Sequence, residues 1–249
     1  MTLHVRPPVL RRGVGAPGLV VELAGLPGSG KSRLAREVVR AVRERGAPAL
    51  VVDAPVGADA RHAARLIRKA VRSGSELLRH PRRSAHVVAR VASSQPQGRD
   101  ALSLGVQWLV TQRLLAAARS APGLHLFEEG VLQTLWSIGM RGSVDRVLAV
   151  LDGQLPWPDL VVVVDAPLPV VQDRLSRRLS RHSRVQHLAT GQQGEALRQG
   201  HERLGELLAW WQGPSGPGVP VVVLTNDDAP PDPRQVDGLA DRLVSALRQ

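Results

Sequence analysis

The sequence predicts an α/β fold, in which helices cover both faces of a parallel sheet. Five short apolar runs recur along the chain, and helical patterns separate each run from the next. Strands that are buried on both faces read as continuous apolar runs, and helical crossovers join parallel strands. A glycine-rich loop follows the first run and opens a helix. We therefore expect one domain over residues 18–249, after an irregular arm at 1–17 with several prolines and glycines.

Each predicted strand is an apolar, often valine-rich run that ends at a polar or turn-forming residue. The predicted strands cover residues 19–24, 49–52, 124–127, 160–164 and 221–224. Helices are predicted where apolar residues recur three or four positions apart. The predicted helices cover residues 31–45, 58–78, 101–118, 131–151 with a break at 139–142, 168–181, 195–212 and 234–248. Residues 81–97 show a weaker pattern and receive no element.

Composition and charge exclude several classes of protein. The chain has no cysteine, which excludes disulfides, thiolate metal sites and a cysteine nucleophile. It has no apolar run long enough for a bilayer and no secretory signal pattern, so we expect a cytoplasmic protein without a membrane partner. The net charge of +11 attracts phosphates. No aromatic stacking platform accompanies it, so nucleic acid is a disfavoured partner. The sequence leaves open whether the protein forms a homodimer.

Residues 25–32 read Gly-Leu-Pro-Gly-Ser-Gly-Lys-Ser and match the phosphate-binding motif G-x-x-x-x-G-K-[ST]. Its glycines let backbone N–H groups face phosphate oxygens, and the following helix adds the positive end of its dipole. Lys31 is expected to reach the β- and γ-phosphates, and Ser32 to hold Mg²⁺. The predicted nucleotide-binding residues of this segment are Gly25, Pro27, Gly28, Ser29, Gly30, Lys31, Ser32 and Arg33.

Two carboxylates, Glu128 and Glu129, end the third predicted strand. Ligands bind at this edge of open α/β sheets. Phosphoryl transfer needs an anchor for magnesium and a group that orients or deprotonates an acceptor hydroxyl. We expect Glu128 to be the base or a water-mediated magnesium anchor, with Glu129 as its substitute if the register differs by one. The alternative is a solvated pair of carboxylates at a strand end.

Five arginines lie within residues 173–184, and four of them are three or four positions apart. Such spacing places several guanidinium groups on one helical face. Positive charge is needed where a phosphoryl group is transferred, so we interpret the segment as a mobile arginine lid over the nucleotide. An exposed basic helix is the alternative. Arg174 and Arg178 are the candidate catalytic arginines, and Arg181 is a candidate nucleotide ligand.

The acceptor site is predicted less directly. Asp53 ends the second strand, and Gln133, Trp136 and Arg141 follow the glutamate pair within the next helical segment. These residues, together with Glu129, are the candidate substrate-binding residues. Trp136 fits a core position equally well, and Asp53 fits a cap of the next turn.

With these residues in hand, the chain resembles P-loop kinases of the nucleoside and nucleoside monophosphate kinase group, especially thymidylate kinase and deoxynucleoside kinase. The resemblance covers residues 19–249 in element order. It implies a three-layer sandwich with strand order 2-3-1-4-5, a lid between the fourth and fifth strands, and ATP as phosphoryl donor. Those kinases carry an acidic residue and then an arginine after the third strand, where this chain has Glu128 and Glu129.

The expected activity is therefore ATP- and magnesium-dependent phosphoryl transfer to a small molecule, with nucleosides and nucleoside monophosphates as leading candidates. The alternative is a regulatory P-loop ATPase or nucleotide switch that acts on a protein partner. Residues 225–228, Thr-Asn-Asp-Asp, lack the lysine of the guanine-recognition motif N-K-x-D, which weakens a GTPase interpretation.

Overall fold

The computed structural model describes residues 17–52, 74–76, 78–151, 157–177, 190–227 and 231–249. Within these residues, five strands form one sheet in which every hydrogen-bonded pair runs parallel. The order β2-β3-β1-β4-β5 confirms the predicted order 2-3-1-4-5. The strands are β1 (Gly18–Ala24), β2 (Ala49–Val52), β3 (Gly123–Phe127), β4 (Leu160–Asp165) and β5 (Val221–Thr225).

Most predicted helices are present, with small shifts at their ends. The described helices are α1 (Lys31–Glu44), α2 (Pro81–Ser94), α3 (Gly98–Arg119), α4 (Val131–Gly139), α5 (Asp145–Leu148), α6 (Leu168–Ser176), α7 (Thr190–Gln212) and α8 (Pro233–Arg248). The predicted break at 139–142 separates α4 from α5. Helix α2 was not assigned from the sequence. Its arginine-rich start obscures the apolar spacing of Val87 and Val91, which are buried.

Alternating side chains of β1 enter two hydrophobic clusters on opposite faces of the sheet. Leu19, Val21 and Leu23 pack in a cluster that includes residues of α1 and α8. Val20 and Ala24 pack in the other cluster, which includes residues of α3, α4, α6 and α7. The sheet is therefore the middle layer of a three-layer sandwich.

The parallel arrangement brings the carboxyl ends of all five strands to one edge of the sheet. The loop 25–30 follows β1, the turn 128–130 follows β3, and residues 226–227 follow β5. Among the polar residues that the sequence singled out, these segments contain Ser29, Glu128 and Glu129, and Lys31 and Ser32 follow directly at the start of α1. We call this edge the carboxyl edge.

Some predictions fall on other parts of the chain. Asp53, Arg178 and Arg181 lie outside the described residues, as do residues 1–16 of the predicted arm. Residues 58–73 of the predicted helix 58–78 and residues 178–184 of the predicted arginine lid lie outside them as well. Among the helices that are described, none is long and apolar enough to cross a bilayer.

Candidate functional site

The loop between β1 and α1 has a backbone that favours glycine at its two ends. Gly25 and Gly30 have φ angles of 149° and 101°, values that side chains rarely allow. Space is restricted as well. A Cβ on Gly25 would lie 2.5 Å from the carbonyl oxygen of Val164, and one on Gly30 would overlap the side-chain amide of Asn226. The glycine spacing of the motif thus reflects backbone conformation and close packing together.

Helix α1 begins at the end of this loop and has no side-chain cap. Its N-cap is Gly30, which has no side chain to cap the helix, and the first turn contains no acidic residue. The carbonyl of Gly30 accepts from the N–H groups of Arg33 (3.1 Å) and Leu34 (3.0 Å), which closes the first turns. A helix start of this kind attracts anions, so the backbone fits a phosphate group.

The ammonium group of Lys31 lies over the loop. Its Nζ donates to the carbonyl oxygens of Gly25 (2.6 Å) and Leu26 (2.9 Å). The side chain is half-buried. The lysine places its positive charge at the loop that leads into α1. A polyphosphate requires positive charge of this kind.

Ser32 and Glu128 meet although they are 96 residues apart. The hydroxyl of Ser32 donates to Oε2 of Glu128, and both residues are partly buried. A hydroxyl and a carboxylate oxygen in contact are hard oxygen ligands, which fit the preference of Mg²⁺. The described residues contain no cluster of three or more His, Asp, Glu or Cys side chains that could hold a metal by themselves. Water and phosphate oxygens would have to complete a magnesium shell here.

The carbonyl of Ser29 connects the phosphate loop to α6 and to the end of β5. Nδ2 of the buried Asn226 donates to this carbonyl at 2.6 Å. Nη1 of Arg174 approaches it at 3.4 Å, while Nη2 of Arg174 donates to the carbonyl of Asp227 at 2.8 Å. Arg174 therefore lies beside the loop 25–30, and Asn226 binds the same carbonyl of Ser29.

A fully buried carboxyl group, that of Glu22, lies in β1 below the turn 128–130. Its Oε1 accepts from the N–H of Gln133 (2.8 Å) and its Oε2 from the N–H of Leu132 (3.2 Å). Burial raises the pKa of Glu22 to about 7, although the N–H groups at the start of α4 oppose this shift. The carboxyl group therefore titrates near neutral pH.

The other predicted site residues occupy different environments. Glu129 and Arg33 are exposed, at the turn after β3 and in the first turn of α1. Gln133 is buried, and its Oε1 accepts from the N–H of Gly25 at 3.4 Å. Trp136 is buried, and its Nε1 donates to the carbonyl of Gly200 at 2.7 Å. Arg141 pairs with Asp100 at 3.3 Å.

Two residues of this site were not singled out in the sequence. Glu22 is the one charged residue of β1, so an isolated carboxylate inside an apolar run was the available signal. Asn226 was considered only as part of an incomplete guanine motif. Its proximity to Ser29 depends on the position of β5 in the sheet, which no local pattern of residues encodes.

No protein-family model matches the chain, and no curated protein matches it. A solved structure of thymidylate kinase from Candida albicans aligns over 94% of this chain and 92% of that chain, with a TM-score of 0.50 and 13% identity. This chain shares the fold of that thymidylate kinase. Deoxyadenosine kinase from M. mycoides, with bound dCTP, aligns over 92% and 100% with a TM-score of 0.44 and 13% identity.

At this identity, the similarity concerns the fold. The kinase-like fold agrees with the resemblance found in the sequence and with the observed strand order. In this fold the loop 25–30 lies at the edge where open α/β sheets bind ligands. The chemistry depends on the side chains of this chain.

Proposed function

We propose that this protein is an ATP- and magnesium-dependent phosphotransferase that acts on a small molecule, with a nucleoside or nucleoside monophosphate as the leading acceptor class. One observation carries the proposal: Lys31 on the phosphate loop and the Ser32–Glu128 contact meet at the carboxyl edge of a kinase-like sheet. A phosphate-binding loop supplies affinity for the donor, and a carboxylate beside it supplies the group that transfer chemistry needs.

In this proposal the loop binds the donor through its backbone and through Lys31. When a polyphosphate binds, Lys31 exchanges the carbonyls of Gly25 and Leu26 for phosphate oxygens, which carry full negative charge and form stronger hydrogen bonds. The uncapped start of α1 faces the same anion. Arg174 adds positive charge from the side of α6.

Ser32 and Glu128 are the residues that would hold magnesium. Bound magnesium neutralises negative charge on the phosphate oxygens during transfer. The hydroxyl of Ser32 would face the cation directly, and Glu128 would anchor it directly or through water. The contact between Ser32 and Glu128 supports this assignment, because the two oxygen atoms already share one location.

The role of Glu128 toward the acceptor depends on the acceptor class. A nucleoside hydroxyl must lose a proton as its oxygen bonds to the γ-phosphorus and the bond to the ADP oxygen breaks, so Glu128 would take that proton. The oxygen of a nucleoside monophosphate is already ionised. In that case Glu128 serves the cation alone, and the exposed Glu129 beside it is the candidate residue on the acceptor side.

The test is transfer of labelled γ-phosphate from ATP to separate pools of nucleosides, nucleoside monophosphates and other hydroxylated metabolites. We expect one pool to be labelled by the wild type, and labelling to be abolished in Lys31→Ala. Arg45→Ala is the matched control, because Arg45 lies at the opposite end of α1 and pairs with Asp237 and Asp241. It should transfer phosphate normally.

ATP binding without labelling of any pool would contradict the phosphotransferase proposal. It would instead favour the nucleotide switch, and a partner whose affinity changes with the bound nucleotide would then be the expected finding. If Lys31→Ala and Arg45→Ala lost labelling equally, the effect of Lys31→Ala would be due to damage to the whole of α1.

A further inference from the structure

Glu22 occupies an unusual place for a carboxylate. It is fully buried in the central strand, on the face of β1 that it shares with Val20 and Ala24. In the register of the sheet it lies opposite Phe127, the last residue of β3. Glu128 is the next residue of the chain. The buried carboxyl group therefore lies on the strand next to β3, opposite the residue that precedes Glu128.

Both oxygens of Glu22 bind the start of α4. They accept from the N–H groups of Leu132 and Gln133, in the first turn of the helix. The N-cap of α4, Gly130, has no side chain that could provide this function. Glu22 thus caps the helix from a different strand, and 110 residues separate it from Leu132.

The same carboxyl group explains the glycine in the turn. Gly130 has a φ of −103°, which any residue adopts. A Cβ at Gly130, however, would overlap the carboxyl carbon and an oxygen of Glu22. The turn that begins with Glu128 therefore rests directly on Glu22, and the absence of a side chain at Gly130 allows this approach.

A further hydrogen bond joins this arrangement to the phosphate loop. The backbone of Gln133 donates to Glu22, and the side chain of Gln133 accepts from the N–H of Gly25. Glu22 and Gly25 are three residues apart on β1 and the loop that follows it. Gln133 thereby contacts both Glu22 of β1 and Gly25, the first glycine of the motif.

We propose that Glu22 is a positioning residue that fixes the turn of Glu128 against the phosphate loop. The inference rests on the proposed function, since it assigns Glu22 an effect on Glu128 and Ser32. Glu22 does not contact a reacting atom in this role. It acts through the backbone of residues 130–133 and through Gln133.

A carboxylate suits this role better than an amide. Two N–H groups point at two oxygens, whereas glutamine would present one oxygen and one NH₂ group to the same two donors. Burial of the carboxyl group opposes its ionisation. A buried carboxyl group of this kind beside a candidate site fits a functional role.

The test compares Glu22→Gln with Asp159→Asn. Asp159 is a matched control, because it is also a buried carboxylate that accepts from a backbone N–H of β1, that of Val20 at 2.8 Å, but at the other end of the strand. Residue-resolved hydrogen exchange should rise about tenfold or more at Leu132 and Gln133 in Glu22→Gln only. In the transfer assay, kcat should fall about tenfold or more while KM for ATP stays within about threefold.

Unchanged exchange at Leu132 and Gln133 in Glu22→Gln would overturn the proposal, and so would an equal loss of kcat in Asp159→Asn. Gly130→Ala provides a second route to the same turn, because its methyl group displaces the carboxyl group without removing it. It should lower kcat in the same direction. If Gly130→Ala had wild-type kcat, the positioning role would be wrong.

The proposed function can fail separately. If the wild type transfers no phosphate, the phosphotransferase proposal is contradicted, and the exchange comparison still decides whether Glu22 holds the turn. In that case the concentration of Mg²⁺ needed for ATP binding should be higher in Glu22→Gln than in Asp159→Asn. An equal requirement in the two variants would contradict the effect of Glu22 on the Ser32–Glu128 pair.

Discussion

A buried carboxylate lies near each end of β1, and the two carboxylates have different binding partners. At the amino end, Asp159 accepts from the N–H of Val20 and also pairs with the guanidinium of Arg119 at 3.1 Å. At the carboxyl end, the pKa of Glu22 is set by burial and by backbone N–H groups. The negative charge at the amino end is therefore balanced by a cation, while that at the carboxyl end is held by dipoles.

On the proposed function, this difference separates a structural end of the sheet from the end that holds the candidate site. A buried carboxylate that pairs with a cation and accepts from a strand N–H has its charge compensated and fixes the strand. A carboxyl group held only by N–H groups changes charge near neutral pH and costs stability when it is ionised. In this protein the latter lies next to the phosphate loop. Unfavourable groups of this kind concentrate at functional sites, where they are kept for what they do.

The largest expected effect is on turnover at the carboxyl edge. In Glu128→Gln the oxygen that contacts Ser32 loses its charge, so we expect kcat for phosphoryl transfer to fall about 100-fold or more. Stability should change little, because Glu128 is only partly buried. Glu129→Gln is the control, since Glu129 is exposed next to it. A larger loss of kcat in Glu129→Gln would identify Glu129, and not Glu128, as the functional carboxylate.

At the amino end the main effect should be on stability. Asp159→Ala removes the acceptor of Val20 and leaves Arg119 without a carboxylate, and we expect the free energy of unfolding to fall by about 3 kcal/mol. Urea unfolding measures this loss. The kcat of the fraction that remains folded should equal that of the wild type. A variant that was stable but inactive would contradict the division between the two ends.

The charge of Glu22 should make stability depend on pH. Its pKa rises from 4.5 to about 7 on folding, so its contribution is fully present below pH 4.5 and is lost as pH rises through about 7. The total loss for this group is about 3 kcal/mol. Urea unfolding of the wild type should therefore show a steeper decline over this range than that of Glu22→Gln. Parallel curves would show that Glu22 ionises as readily as in the unfolded chain.

The smallest effect concerns the support of the phosphate loop by β5. Asn226→Ala removes the hydrogen bond to the carbonyl of Ser29, so we expect the dissociation constant for ATP to rise about tenfold by calorimetry. Asp227→Ala is the control, because Arg174 binds the backbone carbonyl of Asp227 and not its side chain. If the control weakened binding as much, the effect would belong to the segment and not to Asn226.

The sequence predicted those features that depend on neighbouring residues. The apolar runs located the five strands, and the motif at 25–32 located the loop, because both are encoded within a few positions. The strand order came from the resemblance to kinases and is confirmed by the sheet. Helix α2 was missed because its stripe of buried valines is short and follows an arginine-rich start.

The features that were not predicted depend on contacts between distant segments. Glu22 meets residues of α4 110 and 111 positions away, and Asn226 meets Ser29 across 197 positions. No window of sequence contains both partners. A single charged residue in an apolar strand could have marked Glu22 as exceptional, but its partner is defined only by the packing of α4 on β1.

The most direct measurement is hydrogen exchange with and without ATP and magnesium, resolved along the whole chain. We predict slower exchange with nucleotide at residues 25–32, 128–133 and 226–227, at the carboxyl edge. Residues 119–123 and 157–160, around the Arg119–Asp159 pair, should be unchanged. Protection confined to the amino end, or none at 25–32, would contradict a nucleotide site at the carboxyl edge of this sheet.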